Sequence, residues 1–91
     1  MKRDNLAFSP IGVALHSRGK YRVVTSVHGV AETLLEDWPI DDGEDFADAI
    51  ICCVNALHRK ASPQAVRAAF VRAAREANVM VLESVGAARQ S

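Results

Sequence analysis

Two adjacent thiols, three separated histidines and two blocks of charge are the side chains with chemistry to offer. Cys52 and Cys53 are neighbours in sequence, and neighbours on a helix diverge by about 100°, so a bridge between them needs strained geometry. There is no third cysteine to pair with either, which suits a reducing compartment. Zinc takes ligand pairs such as C-x-x-C or H-x-x-x-H on one face, and His16, His28 and His58 form none. Asp41, Asp42, Glu44 and Asp45 could meet a divalent cation, but they lack the Asp-x-Asp-x-Asp-Gly order and distal Glu of a calcium loop. Complementing the positive end of a following helix already accounts for them. Gly12, Gly19, Gly29, Gly43 and Gly86 are scattered, so no glycine-rich loop is set to cradle a phosphate. Nucleophilic catalysis needs a Ser or Cys beside a His and a third orienting group, and no such constellation is visible. No metal, no cofactor and no catalysis are therefore expected.

Two candidates for contact chemistry remain. Cys52 falls toward the polar side of its helix with Asp48 and Arg59, which makes it the candidate exposed thiol, whereas Cys53 falls on the apolar face as a small hydrophobe. Arg59, Lys60, Arg67, Arg72 and Arg75 are five bases in a stretch with no acid before Glu76. Arg67 and Arg75 lie on the outward side of one helix with Arg72 at its margin, a candidate basic face for phosphates. A solvated face is the ordinary fate of such arginines, and no helix-turn-helix or RNA-binding motif accompanies them.

The elements that must position these groups follow from periodicity. Residues 1–10 form a polar lead, with Phe8 and Pro10 guiding entry to a strand. Ile11, Val13 and Leu15 alternate with Gly12, Ala14 and His16, the period of a half-buried strand. Ser17-Arg18-Gly19-Lys20 supplies turn chemistry, and Tyr21 to Thr25 completes a β-hairpin. Ser26 is an N-cap, after which Val27, Val30, Ala31, Leu34 and Trp38 share one helical arc that ends at Trp38-Pro39. Trp38 is expected to anchor that end against the core rather than serve recognition.

A second helix is expected over residues 44–59. Phe46, Ile50, Cys53, Val54 and Leu57 share its apolar face and Ile51 widens the stripe. Ala49, Cys52 and Ala56 form a second seam of small side chains. Ser62 caps a third helix with Pro63 in its first turn, Val66, Phe70, Ala73, Ala74 and Ala77 face inward, and Asn78 closes it in the left-handed region. Val79 to Leu82 is a short strand, and residues 84–91 are a tail beyond the domain of 11–83.

The order is thus β-β-α-α-α-β. It describes an α+β domain with a three-stranded, mainly antiparallel sheet, the helices on one face and the first strand central beside the third. At 91 residues, with 49% apolar and 24% charged side chains, the chain supports one modest core. The longest strongly apolar run, Ala49 to Val54, is far short of the roughly 20 residues that span a bilayer. Met1-Lys2-Arg3-Asp4-Asn5 opens no signal peptide, so the cytoplasm is the expected location.

The residues also carry a resemblance. Ser9-Pro10-Ile11-Gly12-Val13, Val24, Ser26, Ala31, Leu35 and Trp38-Pro39 resemble the first half of a small family, found mostly in rhizobia-like alphaproteobacteria and known as domain of unknown function 982. Phe46-x-x-Ala49-x-x-x-Cys53-x-x-Ala56-Leu57, Pro63 and Arg67-x-x-Phe70-x-x-Ala73-Ala74-x-x-Ala77 resemble its second half. The resemblance covers about residues 8–82. Phe8 stands where the family commonly has Trp and Asn78 where it commonly has Gly, both mild departures. It implies a fold and no activity.

Net charge sharpens the expectation of function. Eleven Lys and Arg balance eleven Asp and Glu, which disfavours a general nucleic-acid coat. The balance is uneven along the chain: Glu32, Glu36, Asp37, Asp41, Asp42, Glu44, Asp45 and Asp48 are eight acids with no base among them, ahead of the five bases. Opposite blocks suit pairing with a copy or another protein, and the edge of a small sheet offers a further contact. The expected function is a small non-enzymatic interaction or regulatory module that self-associates. A nucleic-acid-binding regulator using Arg67, Arg72 and Arg75 is the alternative, and a thiol sensor at Cys52 the third. No membrane partner is expected.

Overall fold

The computed structural model describes residues 6–15 and 21–82. In chain order it contains β1 (Ala7–Ala14), β2 (Tyr21–Ser26), α1 (Val27–Glu36), α2 (Glu44–Leu57), α3 (Pro63–Glu76) and β3 (Met80–Leu82). This is the expected order and the expected α+β class. The sheet runs β2-β1-β3 with both pairings antiparallel, so β1 is central and β3 lies beside it. The 17–20 turn and the 84–91 tail lie outside the described residues.

β1 begins at Ala7, ahead of the expected Ile11. Ser9-Pro10 does not end the strand, because the register with β2 shifts between Ala7 and Ile11 and pairing resumes on both sides. Phe8 is buried, and the Leu6 carbonyl accepts the Val27 N–H at 2.9 Å, so the end of the lead satisfies an otherwise unpaired donor of α1.

β2 passes directly into α1 at Ser26, whose backbone is extended and whose Oγ accepts the Gly29 N–H at 3.2 Å. Val27, Val30 and Leu34 are buried as their spacing predicts. Thr33 is buried among them, and it is tolerated because its hydroxyl donates to the Gly29 carbonyl at 2.8 Å. The helix stops at Glu36, so Trp38 works from the following loop rather than from the last turn. Its ring meets Phe70 of α3 at a centroid distance of 5.4 Å and a tilt of 41°. Its buried Nε1 has no hydrogen-bond partner among the described residues.

α3 starts at Ser62, whose Oγ accepts from the Ala65 N–H at 3.0 Å, with Pro63 in the first turn. All five expected inward residues are buried and Ala69 joins them. Asn78 has φ 60° and the Val79 N–H donates to the Ala74 carbonyl at 2.8 Å, a Schellman closure. α2 ends the same way: Arg59 has φ 64°, the Lys60 N–H reaches the Asn55 carbonyl at 2.7 Å and the Arg59 N–H reaches that of Ala56 at 3.0 Å.

The buried face of α2 departs from expectation. Ala49, Cys53 and Ala56 are its buried residues, Phe46 and Ile50 are half-buried, and Ile51, Val54 and Leu57 are exposed. α2 makes its most extensive helix contact with α3, whose buried residues include Ala69, Ala73 and Ala74. Small side chains on both helices let the backbones approach closely, and that packing outweighs inserting the larger side chains of α2. Ala49 and Ala56 of the expected small-residue seam are buried with Cys53 in place of Cys52, and the helix is rolled so that three of its five large apolar side chains face outward.

Candidate functional site

The charged groups are arranged by one long-range cap. Gly43 precedes α2 and has no side chain with which to cap it. Glu76, at the end of α3, accepts the Asp45 and Phe46 N–H groups, each at 3.0 Å. A β-carbon at position 43 would collide with that carboxylate, so the glycine admits it. The cap fixes the end of α3 against the start of α2, and the two helices run antiparallel. Arg75 therefore stands at the same end of the helix pair as Glu44 and Asp45. Arg59, Lys60 and Arg67 belong to the other end. The acidic and basic blocks, separate along the chain, are folded past one another.

The candidate basic residues do not act as one surface. Arg67 donates from Nε to the Ser9 carbonyl at 3.0 Å, bracing the irregular part of β1. Arg72 and Arg75 are exposed. Arg75 points directly away from the buried arc, with Arg67 about 80° to one side and Arg72 about 60° to the other. Two of the eight acids are already engaged: the Arg22 guanidinium of β2 pairs with Asp37 and, at 3.3 Å, with Glu32 of α1. Adjacent residues give no sign of that pairing, because its partners are 10 and 15 positions apart.

The thiols are less available than the sequence implies. Cys52 is half-buried and packs against the core instead of standing exposed, because the small-residue seam draws that side of α2 inward. Cys53 is 3% exposed. Burial, with the Cys52 thiol beside it, pushes its pKa up to about 11 from 9.0. In the folded state the proton is held more tightly than in the unfolded chain. The contribution of Cys53 to stability is thus complete below pH 9.0 and falls away as pH rises toward about 11. Urea midpoints should drop more steeply over that window in the parent than in Cys53→Ala, and Cys53 should resist thiol reagents at neutral pH until the protein unfolds. Equal pH slopes in the two proteins would contradict this. Among the described residues no three His, Cys, Asp or Glu side chains gather as metal ligands.

Among the described residues an uncharged surface lies on the sheet. Cross-strand partners share a face, and the pairing places Val23, Gly12 and Leu82 in one row and Tyr21, Ala14 and Met80 in the next. Ile11, Val13 and Val24 turn the other way, into the core beneath the helices. Over these two rows the outer face is thus apolar, where an antiparallel sheet ordinarily carries polar residues, and Thr25 continues it along β2. Tyr21 lies across Gly12, since a β-carbon there would run into its ring. Tyr21, Val23, Met80 and Leu82 are all exposed. Tyr and Val at alternate β2 positions, opposite Gly and Ala in β1, were the sequence signal for this face. Half-burial of the hairpin masks it until the third strand is in register.

Among the described residues no helix is long and apolar enough to cross a membrane. No curated protein and no solved structure matches the chain. Residues 9–81 match the family described as Protein of unknown function (DUF982). The match begins at the Ser9 carbonyl that holds Arg67, ends inside β3 and takes in residues of all six elements. By that span the chain belongs to the DUF982 family.

Proposed function

We propose that this protein is a small, cytoplasmic, non-enzymatic interaction or regulatory module that self-associates. The observation that carries the reading is the number of large apolar side chains left at the surface: Tyr21, Val23, Leu35, Ile51, Val54, Leu57, Met80 and Leu82. Scattered single apolar residues are normal on a surface, but here seven of the eight gather on the outer sheet face or the α2 flank. The unbridged cysteines agree with a reducing compartment.

Nucleic-acid binding through Arg67, Arg72 and Arg75 has less support, because Arg67 is engaged with β1 and Arg75 shares its end of the fold with acids. Light scattering across a micromolar-to-millimolar concentration series tests the proposal. The expected result is a mass that rises from monomer toward dimer with concentration. A strict monomer throughout would refute it.

A further inference from the structure

We infer that the surface of self-association is the open face of the sheet, and that its occupant is the same face of a second copy, packed face to face about a two-fold axis. This rests on the proposed self-association and names where it happens. Among the described residues the six positions of the two rows, Val23, Gly12, Leu82, Tyr21, Ala14 and Met80, carry no charge. An uncharged occupant is required, because a partner bringing charge would bury it without a counter-ion. The identical face supplies uncharged, apolar and flat chemistry, and an isologous two-fold contact uses it on both sides. Stacked sheets sit about 10 Å apart with their side chains interdigitated; in the central strand Ala14 is small, and Gly12 lets the Tyr21 ring lie down over the strand.

The area fits a reversible dimer. Tyr21, Val23, Met80 and Leu82 are 48%, 56%, 63% and 42% exposed. Together they present on the order of 400 Å² per copy, about half of the ~800 Å² that each partner contributes to a standard stable interface. The α2 flank is the weaker candidate. Ile51, Val54 and Leu57 form one narrow stripe on a helix that also exposes Glu44, Asp48 and His58.

Val23→Lys and Met80→Lys each set two like charges against each other across the two-fold, and both side chains are exposed in the monomer, so folding should survive. Sedimentation equilibrium of the full chain should show dimer dissociation at least tenfold weaker than the parent for either variant, with Ile51→Lys unchanged. Should one sheet variant lose its cooperative thermal transition, the other decides. Dilution of the parent, followed by amide chemical shifts, needs no substitution and should move Tyr21, Val23, Met80 and Leu82 most. Dissociation by Ile51→Lys but not by the sheet variants, or shifts centred on α2, would overturn the inference and leave self-association standing. A parent that never dimerises would remove both. A monomer that instead floats with phosphatidylcholine vesicles would assign the face to lipid and overturn the inference as well.

Discussion

Phe70→Ala is expected to cost about 3–5 kcal/mol, the range for truncating a large buried aromatic. Phe70 is fully enclosed and is among the largest of the wholly buried side chains. It sits on α3, which touches β1, β3 and both other helices, so the cavity would open where the layers meet. The Trp38 ring would also lose the aromatic surface it stacks on. A domain of 91 residues has a total stability of roughly 5–14 kcal/mol, so this one change removes between about a fifth and all of it. Trp38 is the one tryptophan in the chain, so its fluorescence reports the unfolding transition and the local packing together. The urea midpoint should fall sharply and the native emission should shift to the red. A loss below about 1 kcal/mol would mean that Phe70 is not the centre of the core.

Much of the fold was legible because its determinants are local. Ser26 and Ser62 cap helices through their own hydroxyls, Pro63 marks a first turn, and Asn78 adopts the left-handed closure its type allows. Each of these is decided within four or five residues. The inward face of α3 was legible too, since Phe70 and Val66 leave one choice of side. The parts that escaped depend on partners far along the chain. Glu76 caps a helix that begins 32 positions earlier, and Arg22 finds its acids on the next helix and at the residue after it, so neither spacing leaves a local pattern. Pro10 was expected to bound the strand, whereas a register shift carries pairing past it. For the candidate site, Arg67 was expected on the outward face of α3, whereas it is half-buried and braces β1. Cys52 was misplaced with the face of its own helix.

That helix gives the sharpest test of why the sequence was ambiguous. Its apolar residues cover more than half of the wheel, so hydrophobic periodicity alone permits two rolls about the axis. One buries the large side chains Ile51, Val54 and Leu57; the other buries the small ones, Ala49, Cys53 and Ala56. The structure takes the second, and the two rolls predict opposite mutational results. Ala49→Leu forces a larger side chain into a fully enclosed position on the helix that packs most closely on α3. Overpacking of this kind costs about 1–3 kcal/mol or more, because neither backbone can retreat without losing contact along the whole seam. Ile51→Ala removes a side chain that is already 57% exposed and should cost less than about 1 kcal/mol. Urea denaturation of the two variants measures both changes on one scale. With the large residues inward the order would reverse: Ala49→Leu would be nearly silent and Ile51→Ala would open a cavity. A greater loss for Ala49→Leu fixes the roll of α2 and leaves its apolar flank on the surface. The flank can then be compared with the open sheet as a contact between copies.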